Sequence, residues 1–325
     1  MPHPLSRTAR AVAAALVAAV GACGGDSGPH LPTTPTPTAA PTGVASGTAF
    51  SVVSGETGEA VVGAKVVVGG QTYTSGPSGE VRLSGGAAFG TFVDVTAPSF
   101  MDRQTLLRTD GLSRFVLWPR GGPLGIDDWY TAAIVYSDGA GASATAPLRR
   151  HSSRTRDVVL VLSPEIANDD SASAQHDFAA SLLNEATQGR LHYVLARERP
   201  ATGVSFDVKV DSGDAQCQPQ VLAYASVSSS ASEITGGRIV YCNLGEARTS
   251  VAVHEVGHTF GLRHSPDGGE VMTGTVYRGY APNRYSEREK KIIQLMLERR
   301  AGNRFPDNDR DVRTAATVEE ITICR

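Results

Sequence analysis

Hydrophobic residues recur with different periods in different parts of the chain. Between residues 47 and 120 they form short β-branched runs, such as AFSVV and TFVDVTA, separated by glycine-rich turns, which is typical of a small β-sandwich. After residue 120, strand-like and helix-like segments alternate. DVVLVLS (157–163) and VSFDVKV (204–210) predict strands, and 171–198 predicts one long amphipathic helix.

Two more strand-like runs and two more helices complete the predicted second half. VLAYASV and RIVYC (238–242) predict a pair of strands, and SVAVHEVGHTFGL predicts a helix behind them. Ser286 and Glu289 form a capping-box pattern that begins another helix. Its apolar positions are Ile292, Ile293, Leu295, Met296 and Leu297. The sequence therefore predicts an α+β fold in which a small all-β sandwich precedes a twisted mixed sheet with helices.

The first residues predict export from the cytoplasm. A basic region precedes an apolar stretch over 11–22 that is too short to span a bilayer, which is typical of a signal peptide over 1–22. The sequence VGAC, ending at Cys23, resembles the lipobox of bacterial lipoproteins, and this predicts a lipid on Cys23. Ordinary cleavage after Ala22 is the alternative. Either processing places the protein in the cell envelope or outside the cell.

Composition and charge bound the number of domains and the classes of partner. With 325 residues and 41% apolar content the chain can build ordinary packed cores, and a net charge of −3 gives no basic surface for nucleic acid. We expect a monomer with a membrane anchor. The predicted organisation is a signal peptide (1–22), a lipidated Pro/Thr-rich tether (23–46), a β-sandwich (47–120) and a catalytic domain (121–325).

Export also favours disulfides, since the compartment is oxidising. Besides Cys23 the chain has Cys217, Cys242 and Cys324, so one of the three is left over and three pairings fit. Cys217 with Cys242 is the preferred pair, because both lie in the predicted catalytic domain just before the histidine-rich helix.

That helix contains the motif HEVGHTFGLRH, and its spacing predicts a metal site. His254 and His258 are four residues apart, so their imidazoles project from one helix face and can bind one ion. Glu255 points away from that face, toward the solvent of a cleft. Gly261 can adopt a positive φ that ends the helix, after which His264 can reach the same ion.

The motif, followed by Met272 in GGEVMTG, resembles the metzincin family of zinc metalloendopeptidases, and Ser265 after the third histidine favours the matrixin-like branch. The resemblance implies a metzincin-like catalytic domain with one catalytic Zn²⁺ on His254, His258 and His264. It implies Glu255 as the general base toward a water activated by the zinc, and Met272 as a hydrophobic floor. It also implies that an edge strand near 238–242 aligns a peptide substrate.

Two positions depart from the family pattern. Some metzincins have a tyrosine ligand two residues after the methionine, where this chain has Gly274. We expect Tyr277, Tyr280 and Tyr285 to line the substrate pocket instead. Residues 119–122 read Pro-Arg-Gly-Gly and have no thiol, which excludes a matrixin-type cysteine switch at that place.

Other segments are assigned more ordinary roles. VVGAKVVVGGQTYTSGPSGEVRLSG resembles carboxypeptidase regulatory-like domains, and we interpret it as a spacer or docking module. Three histidines outside the motif are expected at the surface or on a helix face: His151, His176 and His192. FPDNDRD spaces three aspartates as in a calcium loop but lacks the rest of an EF-hand, so a solvated turn is the preferred reading: Asp307, Asp309 and Asp311.

The predicted function is hydrolysis of peptide bonds in a protein or peptide substrate. Two other classes fit the same residues. One is a metallo-amidase that acts on cell-wall peptides, and the other is a surface adhesin or binding lipoprotein with a zinc site. An intact Glu255 argues against the latter, because a structural zinc usually has a fourth protein ligand.

Overall fold

Two small sheets in the first half of the chain share one buried core. The structure is a computed structural model and describes residues 42–108, 113–137, 144–275, 282–310 and 317–325. Cys23 and the predicted signal peptide lie outside these residues. No helix within the described ranges is long and apolar enough to cross a membrane.

The strands of this half are short because glycine turns interrupt them. They are β1 (Gly43–Val44), β2 (Ala49–Ser54), β3 (Lys65–Val68), β4 (Gln71–Thr74), β5 (Glu80–Arg82), β6 (Ala87–Ala88), β7 (Phe92–Thr96), β8 (Arg103–Leu106) and β9 (Arg114–Leu117). One sheet has the order β5-β2-β9 and the other β4-β3-β7-β8. Alternate residues of both sheets, among them Val52, Val66, Val95 and Phe115, are fully buried in a shared core. The likeness to regulatory-like domains stays a prediction.

A larger mixed sheet with helices behind it forms the second half. Its strands are β10 (Arg150–His151), β11 (Asp157–Leu162), β12 (His192–Ala196), β13 (Val204–Val210), β14 (Ala223–Ser230), β15 (Glu233–Tyr241) and β16 (Val318–Cys324). The helices are α1 (Asp128–Thr131), a π-helical turn (Ala132–Tyr136), α2 (Pro164–Ala167), α3 (Asp170–Ala186), α4 (Leu244–Ala247), α5 (Val251–Phe260) and α6 (Glu287–Leu297). This is the mixed α+β class that the sequence predicts.

The strand order within this sheet is β12-β11-β13-β15-β14-β16, and β10 also pairs with β15. β12, β11, β13 and β15 pair with one another in parallel, whereas β14 is antiparallel to both β15 and β16. The expectation of an edge strand near 238–242 is therefore wrong. β15 lies between β13 and β14 in the interior of the sheet.

The predicted long helix over 171–198 is also wrong in its second half. α3 ends at Ala186, because Gln188 and Gly189 adopt φ values of 54° and 70° that an α-helix cannot continue. The apolar run HYVLA then becomes β12 and pairs in parallel with β11. In that run the β-branched and aromatic residues favour the sheet over the helix.

Buried charges connect the sandwich half to the segment after α6. Arg299 binds Asp307 through two hydrogen bonds of 2.7 and 3.1 Å, and both side chains are fully buried. Arg103 of β8 lies 3.6 Å from Asp309, which is fully buried as well. The solvated-turn reading of these aspartates is therefore wrong. The carboxylates of Asp307 and Asp309 accept hydrogen bonds from Asn303, and that of Asp309 also accepts one from Thr105. Asp311 lies outside the described residues.

Candidate metal centre and active site

Helix α5 carries the first two histidines on its buried face. It begins after Ser250, and it ends at Gly261, whose φ of 107° is the left-handed conformation that the sequence predicts for this position. A Cβ on Gly261 would lie 2.5 Å from the carbonyl oxygen of Arg149, so the turn needs glycine for space as well as for conformation. His254 and His258 are each 1% exposed. The turn brings His264 back to them.

The three imidazoles converge on one point. The ring centroids of His254 and His258 are 4.6 Å apart, and those of His264 lie 5.3 and 5.1 Å from them. One nitrogen of each ring can be chosen so that all three nitrogens lie within 4.8 Å of one another. The structure thus brings together the three predicted ligands.

Hydrogen bonds to backbone carbonyls fix which nitrogen of His254 and His258 faces the centre. His254 Nδ1 donates to the carbonyl of Val271 and His258 Nδ1 to that of Leu262, both at 2.7 Å. Because a carbonyl cannot donate, each Nε2 carries a lone pair. The two Nε2 atoms face each other at 3.0 Å, and His264 Nε2 is buried without a hydrogen-bond partner among the described residues.

This arrangement fits a cation. Three converging lone pairs repel one another unless a positive charge lies between them, and burial holds the rings neutral. Burial lowers the pKa of His254 to about 3 and that of His264 to about 4, and it lowers the pKa of His258 well below its usual range. Neutral imidazoles at this spacing suit Zn²⁺, whose tetrahedral ligands lie roughly 3.3 Å apart. The residues present therefore fit the metal that the motif implies.

Met272 packs against helix α5 at Gly257. It is fully buried, and a Cβ on Gly257 would lie 2.5 Å from its Sδ, so the glycine inside the HEVGH sequence makes room for it. The backbone N–H of Met272 donates to Glu289 at 2.8 Å, and the same carboxylate completes the capping box of α6 with Ser286. A pattern that predicts a helix start thus also fixes the loop under the site.

The loop that carries His264 is held by a second carboxylate. Glu270 is 5% exposed and accepts hydrogen bonds from Tyr130, Ser286, Arg288 and Ser265. Gly274 lies against the ring of His264, where a Cβ would be 2.9 Å from Nδ1. The position at which some metzincins have a tyrosine ligand therefore has no room for a side chain here.

Glu255 is buried rather than facing solvent, so that expectation is wrong. Its side chain is fully buried, and neither oxygen has a hydrogen-bond partner among the described residues. Burial raises the pKa of its carboxyl well above the usual range. A buried carboxyl without a hydrogen-bond partner, close to a ring nitrogen of His254, fits a site that binds a cation and water.

Two other residues, His151 and Tyr285, are not where the sequence suggests. His151 is buried, and its Nε2 contacts the Thr259 carbonyl at 3.0 Å. His176 lies on a face of helix α3, as expected, but that face is buried, and its Nε2 contacts the Tyr241 hydroxyl at 2.9 Å. His192 is exposed, as expected. Tyr285 donates to the Val253 carbonyl beneath α5 and is 3% exposed, so it does not line a substrate pocket. Tyr277 and Tyr280 lie outside the described residues.

The described residues contain one disulfide and one free cysteine. Cys217 and Cys242 form a disulfide, and Cys324 is the remaining cysteine of the described ranges. The Sγ of Cys324 belongs to a second cluster in which it, His254 and Glu255 have ligating atoms within 4.8 Å of one another. Sequence reasoning missed this residue, because nothing near Cys324 in the chain points to the histidine motif.

Comparison with known families agrees with this geometry. The family model described as Matrixin matches residues 173–296. The match extends from within α3 to α6 and includes the three histidines, Glu255 and Met272. It supports a metzincin-like zinc metallopeptidase, a hydrolase that acts on proteins or peptides. No protein among the curated ones matches the chain.

Proposed function

We propose that the protein is an exported zinc-dependent endopeptidase in which His254, His258 and His264 hold the metal and Glu255 is the general base. The observation that carries the proposal is the convergence of three buried imidazoles, one of which, His254, lies beside a buried carboxylate that has no partner among the described residues. Zn²⁺ bound by these histidines would act as a Lewis acid, which polarises a carbonyl and lowers the pKa of water to about 7.

Glu255 then moves the proton that peptide hydrolysis requires. Its oxygens accept a proton from the attacking water and deliver it to the nitrogen of the leaving amine. A nearby divalent cation favours the charged carboxylate and opposes the effect of burial on its pKa. The dry surroundings strengthen these interactions, since the effective dielectric constant is low. Hydrogen bonds from Nδ1 of His254 and His258 to the carbonyls of Val271 and Leu262 leave Nε2 of both rings free to hold the metal.

Export and a lipid anchor at Cys23 are part of the proposal. The basic region, the apolar stretch and the VGAC sequence support them. The tether over 23–46 then separates the folded part from the membrane, and the Cys217–Cys242 disulfide suits an oxidising compartment.

The test compares wild type with Glu255→Gln and His264→Ala. Glu255→Gln keeps the size of the side chain, so we expect about one Zn²⁺ per chain and a loss of about 10²–10⁴ in the rate of peptide cleavage. His264→Ala should lower the zinc content itself. Zinc is measured by atomic emission and cleavage with a fluorogenic peptide library. A zinc-loaded Glu255→Gln variant that cleaves as fast as an active wild type would show that Glu255 is not the base.

A further inference from the structure

A cavity lined by arginines lies between the sandwich half and the second half of the chain. Its volume is about 240 Å³, which is enough for a small ion and several water molecules. The arginines that line it are Arg108, Arg150, Arg299 and Arg300. Arg108 comes just after β8, Arg150 is in β10, and the other two follow α6. Since these segments are far apart in the sequence, it is the fold that brings the four arginines together.

Arg150 is held by the protein in a way that leaves one side of its guanidinium for a ligand. The residue is only 9% exposed. Its Nε donates to the carbonyl of His151 at 3.0 Å, and its Nη1 donates to the carbonyls of Leu297 and Arg299. These bonds to the described residues do not use Nη2. Backbone carbonyls orient the guanidinium but do not neutralise its charge, so a nearly buried cation lines the cavity.

Positive charge exceeds negative charge around the cavity. Burial lowers the pKa of Arg150, and the neighbouring charge of Arg108 lowers it further, whereas Glu233 raises it. Glu233 is the acidic residue among the described ones that line the cavity. Arg299 is already paired inside the protein. Even with Arg108 set aside, Arg150 and Arg300 outnumber this one carboxylate. An anion that binds between the two arginines removes their repulsion.

We propose that this cavity binds inorganic phosphate, which the guanidiniums of Arg150 and Arg300 hold by its charged oxygens. The planar fork of a guanidinium matches the spacing of phosphate oxygens, and its hydrogen bonds to them are strengthened by charge. None of the residues that line the cavity belongs to the three-histidine cluster. The phosphate site is therefore separate from the proposed metal centre, and it does not depend on peptide cleavage.

Glu233 makes the site prefer phosphate to sulfate. Inorganic phosphate keeps a proton at neutral pH, so its O–H can donate to a carboxylate, which only accepts hydrogen bonds. Sulfate has the same shape but no proton, and the same carboxylate repels it. A cavity with arginines alone would bind either ion by charge. The carboxylate of Glu233 thus converts a general anion site into a phosphate site.

The ligand and its arginines are tested by titration calorimetry of the full chain with zinc present, at constant ionic strength. We expect saturable phosphate binding that is at least about tenfold weaker in Arg150→Gln and in Arg300→Gln. Arg154→Gln is the matched control, because Arg154 is exposed and does not line the cavity. It should bind phosphate like the parent. Arg300→Gln keeps the test valid if Arg150→Gln fails to fold.

Two results of this titration would overturn the inference. One is the absence of saturable binding up to about 10 mM phosphate in the parent protein. The other is binding of equal strength in the parent, Arg150→Gln and Arg300→Gln, which would place the ion elsewhere, for example on the zinc. Phosphate that binds only the folded protein should also raise its Tm, and Arg300→Gln should reduce that rise.

The role of Glu233 is tested by comparing phosphate with sulfate. The parent should bind phosphate at least about tenfold more tightly than sulfate, and in Glu233→Gln the two affinities should agree within about threefold. Sulfate binding as tight as phosphate binding in the parent would overturn the assignment of phosphate. Peptide cleavage is not measured in any of these experiments. Failure of the proposed peptidase activity would therefore leave the phosphate site standing, and the reverse also holds.

Discussion

Asp307→Ala should strongly destabilise the protein, because it leaves a buried arginine without its countercharge. Asp307 and Arg299 are both fully buried and share two hydrogen bonds, and the guanidinium of Arg299 also lies 4.7 Å from the ring of Trp118. Breaking a buried pair from one side costs about 3–5 kcal/mol, since the remaining charge loses its partner but not its burial. We expect a fall in Tm of roughly 5–15 °C.

The control removes an ion pair of similar length at the surface. Arg199 and Asp207 are 2.6 Å apart with side chains 52% exposed, so Asp207→Ala should cost about 1 kcal/mol or less. Both variants are unfolded in urea at one fixed zinc concentration, because metal that binds only the folded state adds to stability. If the free energies of unfolding lost by Asp307→Ala and Asp207→Ala agree within about 1 kcal/mol, the reasoning is refuted. The buried pair would then be no more costly to break than an exposed one.

Two further predictions concern pH and the membrane. Burial raises the pKa of Glu289 from 4.5 to about 7, so the carboxyl ionises first in the unfolded chain, and stability falls by up to ~3 kcal/mol between about pH 4.5 and 7. Glu289→Gln should remove that part of the pH dependence in urea unfolding of the metal-free protein, and an unchanged dependence would contradict the assignment. Cys23→Ser should move the protein from the membrane to the soluble fraction, whereas mass spectrometry that finds an unmodified Cys23 in wild type would reject lipidation but not export.

The parts of the site that sequence reasoning predicts are those set by near neighbours in the chain. His254 and His258 lie on one face of α5 because of their spacing, and Gly261 adopts the positive φ that ends the helix. The capping box of Ser286 and Glu289 likewise needs only four residues. Each of these signals depends only on residues a few positions apart, so it can be read without knowing the rest of the fold.

Burial of polar residues is harder to predict, because it depends on partners far away in the chain. Asp309 is in a segment that reads as a polar turn, yet Arg103 lies beside it in the structure. His176 lies on α3, and the sequence does not indicate that its face of the helix is buried. In the structure its Nε2 contacts the hydroxyl of Tyr241. A polar residue is buried where a distant group can satisfy it, and the local pattern does not contain that group.

Which strand forms the sheet edge depends on the order of strands, and neither β14 nor β15 carries that information in its own pattern. β15 is interior because β13 pairs with it in parallel, so β14 is the strand left with an open side. Glutamates in β16 would suit an exposed strand. In the structure, however, Glu320 meets Arg149 and Arg263 of the active-site side, and this fixes β16 on β14. The cysteine left over from the pairing count, Cys324, therefore lies against Glu255 and His254, a contact that its position in the chain does not predict.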